Sequence, residues 1–273
     1  MRRKKPIRLL VCVSDIHAGS TVGLLPPDFV AHEGQSVNQN AIQRWLWSCW
    51  LDANKWLDAV VGDDEFALVI NGDATEGVHH RTLQVITPDI GDHLSAAIHI
   101  LQPLAERAED VFVVKGTEAH TGNIEEALGR ELGAYKHPDT GHHSTDKLYL
   151  EVNGCPVVFH HHIGATSRTY LEASALSIHL INEQAEHLQA GLTPPRVLVT
   201  GHRHRFGAWT NAHGTCVCLP PWQGLTRYGH KVVPSAMTKP GLVVLDWRGG
   251  DPNALPSVRH RIYTPPPPAM VRL

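Results

Sequence analysis

Carboxylate and imidazole side chains follow four apolar, strand-like runs of this sequence, directly where each run ends. They are Asp15 and His17 after residues 9–13, Asp73 after 67–70, the triplet His160, His161 and His162 after 157–159, and His202 and His204 after 197–199. Open sheets build their binding sites at the ends of their strands. The sequence therefore predicts that these side chains meet at one edge of a sheet.

Mixed carboxylate and imidazole ligands suit Mn, Fe or Zn better than Ca or Mg. His202 and His204 are one residue apart and follow Gly201, so both rings can turn toward one point. The whole set offers too many ligands for a single four-coordinate ion. Two ions about 3.5–4 Å apart, bridged by one carboxylate, would use them all and leave positions for water and phosphate.

The first half of the chain predicts the elements that position these groups. Strands are expected at 7–13, 66–70 and 111–114, and helices at 40–60, 92–108 and 124–132. We expect Asp92 to cap the second helix and Gly133 to end the third. A β-α-β-α-β order predicts right-handed crossovers and a largely parallel sheet.

The second half of the chain is richer in strands. We expect a hairpin of 148–152 and 155–159, a helix at 170–190, strands at 196–200, 209–219 and 241–247, and an extended strap at 265–268. The prediction is one domain over residues 1–273, an α/β sandwich whose last strands form a second sheet. Its motifs lie within about 7–204, and 205–273 supply closing strands and a Pro-rich tail.

Composition limits the classes of partner and compartment. A formal net charge of -3 and a pI near 6.7 give no general attraction to nucleic acid or to an anionic membrane. The five cysteines are scattered and odd in number, which favours a reduced, cytoplasmic interior. Cys216 and Cys218 are expected on one buried face of a strand. The apolar run after the basic N-terminus is too short for a signal peptide, and no run approaches the roughly 20 apolar residues of a membrane span.

The motif order Asp-x-His, Gly-Asp, a Gly-led loop, His and Gly-His-x-His resembles the calcineurin-like metallophosphoesterase family from about residue 7 to residue 204. The resemblance implies a four-layer α/β/β/α sandwich of two mixed sheets flanked by helices. It also implies two divalent metal ions, with Mn²⁺ as the first expectation and Fe, Zn or Ni as alternatives. The ligands it implies are Asp15, His17 and His204 for one ion, Asp73 as the bridge, and His202 with His161 for the other, His160 being the close alternative to His161.

The fourth motif of the family departs from its usual pattern in this chain. Where the family has Gly-Asn-His and an acidic residue, residues 116–120 read Gly-Thr-Glu-Ala-His. Thr117 stands at the position of the Asn ligand, but a neutral hydroxyl is a weak ligand and the carboxylate of Glu118 is a better one for a hard cation. Glu118 is therefore a candidate ligand. His120 remains a candidate general acid or phosphate contact, and His120 and Asp73 are the expected catalytic residues.

The expected reaction is metal-dependent hydrolysis of a phosphoester by an activated hydroxide. A phosphodiesterase or nuclease is the first expectation and a phosphomonoesterase the second; the alternative of another class is a non-catalytic, metal-stabilised binding module. Substrate contacts are expected from His80, shortly after Asp73, and from Arg203. Arg203 belongs to a local basic rim near Trp222 and Tyr228 that could hold a nucleotide or nucleic acid. The sequence does not determine the oligomeric state.

Overall fold

The computed structural model describes residues 6–79, 82–121, 123–163, 172–232 and 237–267. Within these ranges the helices are α1 Ala41–Val61, α2 Ile90–Ala105, α3 Glu118–Thr121, α4 Ile124–Glu131, α5 Glu172–Gln189 and α6 Arg227–Val232. The strands are β1 Leu9–Val13, β2 Phe29–Val30, β3 Ser36–Val37, β4 Ala67–Asn71, β5 Asp110–Val114, β6 Ser144–Thr145, β7 Lys147–Val152, β8 Cys155–His160, β9 Val197–Thr200, β10 Gly207–Asn211, β11 Gly214–Cys218, β12 Gly241–Asp246 and β13 Ser257–Ile262.

The first sheet has six strands in the order β13-β12-β1-β4-β5-β6. Its neighbours β1, β4, β5 and β6 run parallel, with Val11 opposite Leu68 and Leu68 opposite Val111. The predicted β-α-β-α-β order and its parallel sheet are confirmed. The carboxyl ends of β1 and β4 consequently lie side by side.

The second sheet has five strands in the order β10-β11-β9-β8-β7. Strands β8, β9 and β11 are parallel, and the edge strands β7 and β10 are antiparallel to their neighbours. The prediction that the last strands form this sheet is confirmed for 209–219 and wrong for 241–247. Strand β12 pairs with β1 of the first sheet, and β13 pairs with β12.

Alternation of side chains along the strands produces four layers. In β1, Leu9 and Val11 pack on the face covered by α1 and α2, whereas Leu10 and Cys12 face the second sheet. The outer face of the second sheet packs against α5 through a further apolar cluster that includes Leu198. The α/β/β/α sandwich of two mixed sheets is therefore confirmed.

Several smaller predictions are also settled by the structure. The stretch 209–219 is two strands joined by a turn, because Asn211 Oδ1 accepts hydrogen bonds from the backbone of His213 and Gly214. The cap of α2 is Asp89 rather than Asp92, whose carboxylate instead accepts hydrogen bonds from the loops that precede the helix.

All five cysteines are free and buried, and Cys216 and Cys218 share the face toward α5, as expected. Within the described ranges, no helix combines the length and the apolar character needed to cross a membrane.

Candidate metal centre

Six of the predicted ligands converge where β1, β4, β8 and β9 end. They form two groups: the first metal group is Asp15, His17 and His204, and the second metal group is Asp73, His161 and His202. Within each group the ligand atoms lie within 4.8 Å of one another. The structure thus brings together side chains that are up to 189 positions apart, from Asp15 to His204.

The separations within each group are those of atoms that could bind one ion. In the first metal group, His204 Nε2 lies 3.1 Å from His17 Nε2 and 3.2 Å from Asp15 Oδ1. In the second, His161 Nε2 lies 2.9 Å from Asp73 Oδ2. Ligands bound to a common ion at about 2.1 Å are expected about 3.0–3.4 Å apart.

The two groups are also in contact with each other. Asp73 Oδ2 lies 3.9 Å from His17 Nε2, and Asp15 Oδ1 lies 3.8 Å from His161 Nε2. Each carboxylate therefore faces an imidazole of the other group. Asp73 lies between His17 and His161, and Asp15 lies between His204 and His161.

The backbone at these loops is held in an unusual conformation. In the described part of the chain, eight residues other than glycine have a positive φ, and five of them are ligand candidates: Asp15, His17, Asp73, His202 and His204. The left-handed region is uncommon for residues with a Cβ, although Asp and His tolerate it better than most. Such strain clusters at functional sites, where the surrounding structure enforces it.

Two glycines allow the loops to approach each other this closely. Gly72 has a φ of +79°, and a Cβ on it would lie 2.4 Å from His161 Nδ1. A Cβ on Gly201 would lie 2.3 Å from Ser14 Oγ and 2.8 Å from Asp15 Oδ2. Neither position has room for a side chain, so both glycines are required by packing against the ligands.

Strong electrostatic coupling follows from the burial of two carboxylates in one place. Asp15 and Asp73 are 0% and 1% exposed. Burial alone would raise the pKa of Asp73, but the charge and hydrogen bond of His161 hold it well below its usual range. Burial would likewise lower the pKa of His161, but Asp15 and Asp73 raise it. The pocket therefore favours a positive charge, whether proton or metal.

The donor set fits divalent transition metals. Two buried carboxylates and four imidazoles are the ligands that Mn, Fe and Zn accept. His161 Nδ1 lies 2.7 Å from the backbone oxygen of Asn71 and donates to it, which leaves Nε2 for a metal. Burial, followed by the charge of His161, lowers the pKa of His202 to about 4, so this ring is in the neutral form that metals bind.

The fourth motif places Thr117, not Glu118, beside the ligands. Thr117 Oγ1 lies 3.3 Å from Asp73 Oδ2 and 3.2 Å from His202 Nδ1, and the Thr117 backbone N–H donates to Asp73 Oδ1 at 2.7 Å. Glu118 begins α3 with an exposed side chain and belongs to neither metal group. The structure therefore does not bring the expected carboxylate of Glu118 to the site.

Sequence reasoning did not identify Glu76, a buried carboxylate behind the first metal group. Glu76 Oε2 lies 2.9 Å from His17 Nδ1 and accepts a hydrogen bond from Gln223 Nε2 at 2.7 Å, while Oε1 lies 3.2 Å from His79 Nε2. Burial would raise the pKa of Glu76, but its hydrogen bond with His17 lowers it to about 2. A carboxylate that orients a ligand histidine in this way also makes the ring a stronger ligand. The only feature of the sequence that pointed to a role for Glu76 at this site was its position three residues after Asp73.

His120 lies beside the first metal group. Its ring centroid is 4.9 Å from that of His17 and 4.0 Å from that of His79. Its Nδ1 donates to the backbone oxygen of Glu76 at 2.9 Å, so Nε2 carries the lone pair of a neutral ring. Burial, followed by the charge of His17, lowers the pKa of His120.

The residues predicted to contact substrate differ in burial. His80 lies outside the described residues. Arg203 is half-buried in the turn between the ligands His202 and His204, where its backbone N–H donates to Gly201 O. Trp222 is fully buried and packs edge-on against a tryptophan of α1, so it cannot serve as a stacking surface. Tyr228 is 75% exposed.

Comparison with known proteins adds similarities of shape only. No protein-family model and no curated protein matches the sequence. Matching solved structures include a single mutant of Vps29 from Entamoeba histolytica, with 12% identity and a TM-score of 0.40, which covers 94% of this chain and 99% of that one. A predicted phosphoesterase from Streptococcus pneumoniae matches with 15% identity and a TM-score of 0.35, covering 93% of this chain and 98% of that one.

A third solved structure, described as a novel archaeal phosphodiesterase, matches with 9% identity and a TM-score of 0.44, covering 93% of this chain and 99% of that one. At TM-scores below 0.5, these similarities carry no inference about activity. What the site can do follows from its own residues and their geometry.

Proposed function

We propose that this chain is a metal-dependent phosphoester hydrolase of the calcineurin-like metallophosphoesterase type. The observation that carries the proposal is the contact between two complete ligand triads at the strand ends. Asp15, His17 and His204 would hold one divalent ion, and Asp73, His161 and His202 the other. Asp73 faces ligands of both groups and would be shared between the two ions.

Bound divalent ions supply two things to such a site: they lower the pKa of water and they neutralise the charge of phosphoryl oxygens. The protein contributes the orientation of the ligands. Glu76 fixes the ring of His17, and the backbone oxygen of Asn71 fixes the ring of His161. Thr117 holds Asp73 through its backbone N–H and contacts His202 through its hydroxyl.

His120 is the proposed proton donor to the leaving oxygen. In the resting site its ring is neutral, with Nδ1 donating to Glu76 O and Nε2 carrying a lone pair. Binding of an anionic phosphoester raises the proton affinity of a neighbouring imidazole. His120 then takes up a proton from solvent at Nε2 and delivers that proton to the departing oxygen.

A phosphodiester, in a nucleotide or a nucleic acid, is the proposed substrate class, and Mn²⁺ is the proposed metal. The overall negative charge of the chain argues against extended contacts along a duplex. A single nucleotide or a strand end needs fewer phosphate contacts. The exposed Tyr228 offers a stacking surface for such a ligand.

The experiment is a hydrolysis assay on protein stripped of metal and reloaded with Mn²⁺. Bis(p-nitrophenyl) phosphate and p-nitrophenyl phosphate are compared, with the stripped protein as the control. Metal-dependent turnover that favours the diester supports the proposal. Turnover of the monoester alone supports a phosphatase instead, and metal binding without turnover of either ester supports a non-catalytic binding module.

A further inference from the structure

A second cluster of ligand-type side chains lies on the other face of the second sheet. His161 contacts Asp73 inside the strand-end site, whereas its neighbour His160 faces α5, because successive residues of a strand point to opposite faces. The ring of His160 lies 4.5 Å from that of His179, centroid to centroid. Glu183 follows His179 by one helical turn, and its Oε1 lies 3.7 Å from His179 Nε2. We call His160, His179 and Glu183 the α5 cluster.

Two nitrogen atoms of the α5 cluster, one in each histidine, are buried and lack a hydrogen-bond partner. His160 is 6% exposed, and its Nδ1 donates to the backbone oxygen of His162 at 2.9 Å, so its Nε2 carries a lone pair. Nε2 of His160 and Nε2 of His179 are both buried, and within the described ranges neither makes a hydrogen bond. One ligand atom from each of the three residues lies within 4.8 Å of the other two.

Hydrogen bonds and ion pairs among these side chains do not explain why they lie together. Lys147 pairs with Glu183 Oε1 and balances its charge, but this pair satisfies neither imidazole nitrogen. Buried polar atoms normally have a partner, and those that lack one call for an explanation. Two imidazoles and a carboxylate that meet in this way are typical ligands of zinc and related ions.

We propose that His160, His179 and Glu183 form a separate binding site for a zinc-type transition-metal ion. Three protein ligands leave one position of a tetrahedral ion for water. The ion joins α5 to the end of β8, where the next residue is the ligand candidate His161. An ion held in this way would fix the strand end that positions the second metal group. Lys147, which is 44% exposed, can turn away as the ion takes over the charge of Glu183.

The test is the zinc content of the full-length protein, stripped of metal, equilibrated with Zn²⁺ and freed of unbound ions. His179→Gln removes a ligand that α5 supplies, and Glu183→Gln is a second variant in case the first does not fold. His187→Gln, two turns further along α5 than His179 and outside the cluster, is the matched control. Zinc per chain is measured by mass spectrometry, and thermal unfolding is followed with and without zinc.

The expected result is that His179→Gln and Glu183→Gln each retain about one zinc ion per chain fewer than the wild type, whereas His187→Gln retains as many. The rise in Tm caused by zinc should also be smaller in both cluster variants. Equal zinc content in the wild type and in the cluster variants overturns the proposal. So does an equal loss of zinc in His187→Gln. Neither readout depends on hydrolytic activity.

Discussion

The two metal groups have the same number of ligands, but their supporting residues differ. In the first metal group, the ring of His17 is held from behind by the buried carboxylate of Glu76. In the second, His161 is held by a backbone oxygen and His202 by the hydroxyl of Thr117. A carboxylate increases the basicity of a ligand imidazole more than a neutral oxygen does. We therefore expect the first group to bind its ion more tightly, and the proposed centre to fill in two separate steps.

The largest effect is expected from Asp73→Asn, which replaces the carboxylate that faces ligands of both groups by a neutral amide. Turnover of bis(p-nitrophenyl) phosphate should fall to the uncatalysed level, and the two steps of metal binding should no longer be coupled. The assay is run in excess Mn²⁺, with calorimetry for metal binding. The control is Asp58→Asn, which alters an exposed carboxylate paired with Arg107. Full activity of Asp73→Asn would rule out a two-metal site.

Glu76→Gln should remove the higher metal affinity expected of the first metal group. Loss of a carboxylate behind a ligand histidine typically costs 10- to 100-fold in metal affinity or activity. We expect the Mn²⁺ affinity of the tighter binding step to fall by about that factor, and the affinity of the weaker step to change little. Glu106→Gln, at the exposed end of α2, serves as the control. A decrease in Mn²⁺ affinity that is confined to the weaker step would contradict the assignment of Glu76 to the first group.

Thr117→Asn should strengthen the second metal group. An amide oxygen is a better ligand for a divalent ion than a neutral hydroxyl, and Thr117 already lies beside Asp73 and His202. We expect the weaker Mn²⁺ step to tighten by a few-fold, which would make the two steps more alike. Thr117→Val, which removes the hydroxyl without offering a ligand, is the comparison. Weaker binding in Thr117→Asn than in Thr117→Val would refute this prediction.

The smallest effect is expected from Glu118→Gln. Its side chain is exposed at the start of α3 and belongs to neither metal group. Activity and both Mn²⁺ affinities should stay within about twofold of the wild type, as for most surface substitutions. A tenfold loss of Mn²⁺ affinity in the weaker step would indicate that Glu118 is a ligand of the second group after all.

Much of the centre could be predicted because its ligands are encoded next to strand ends. A buried parallel strand is a short apolar run, and the residues after it must lie at the edge of the sheet. The positions of Asp15, Asp73 and His202 therefore follow from local sequence alone. The hairpin around Asn153 and Gly154 was equally local, since its turn residues select the conformation.

The errors concern features that depend on distant parts of the chain. Strand β12 looks like any other apolar run, and only its pairing with β1 assigns it to the first sheet. Strand β13 carries two arginines on an exposed edge, which hides its strand character. The choice between Thr117 and Glu118 depends on the backbone of one loop. Glu76 is defined by its contacts with His17 and Gln223, which sequence patterns do not report.

The left-handed backbone of five ligand candidates also limits how the metal preference of this chain could evolve. Cysteine and glutamate bind metals as well as aspartate and histidine do, so exchanging one ligand type for another is a simple route to a new metal. At Asp15, His17 or His204 such an exchange would also put a less tolerant residue at a positive φ, at a cost of about 1 kcal/mol each. Changes in the residues behind the ligands, such as Glu76 and Thr117, carry no such penalty. Evolution of this centre toward another metal should therefore begin there.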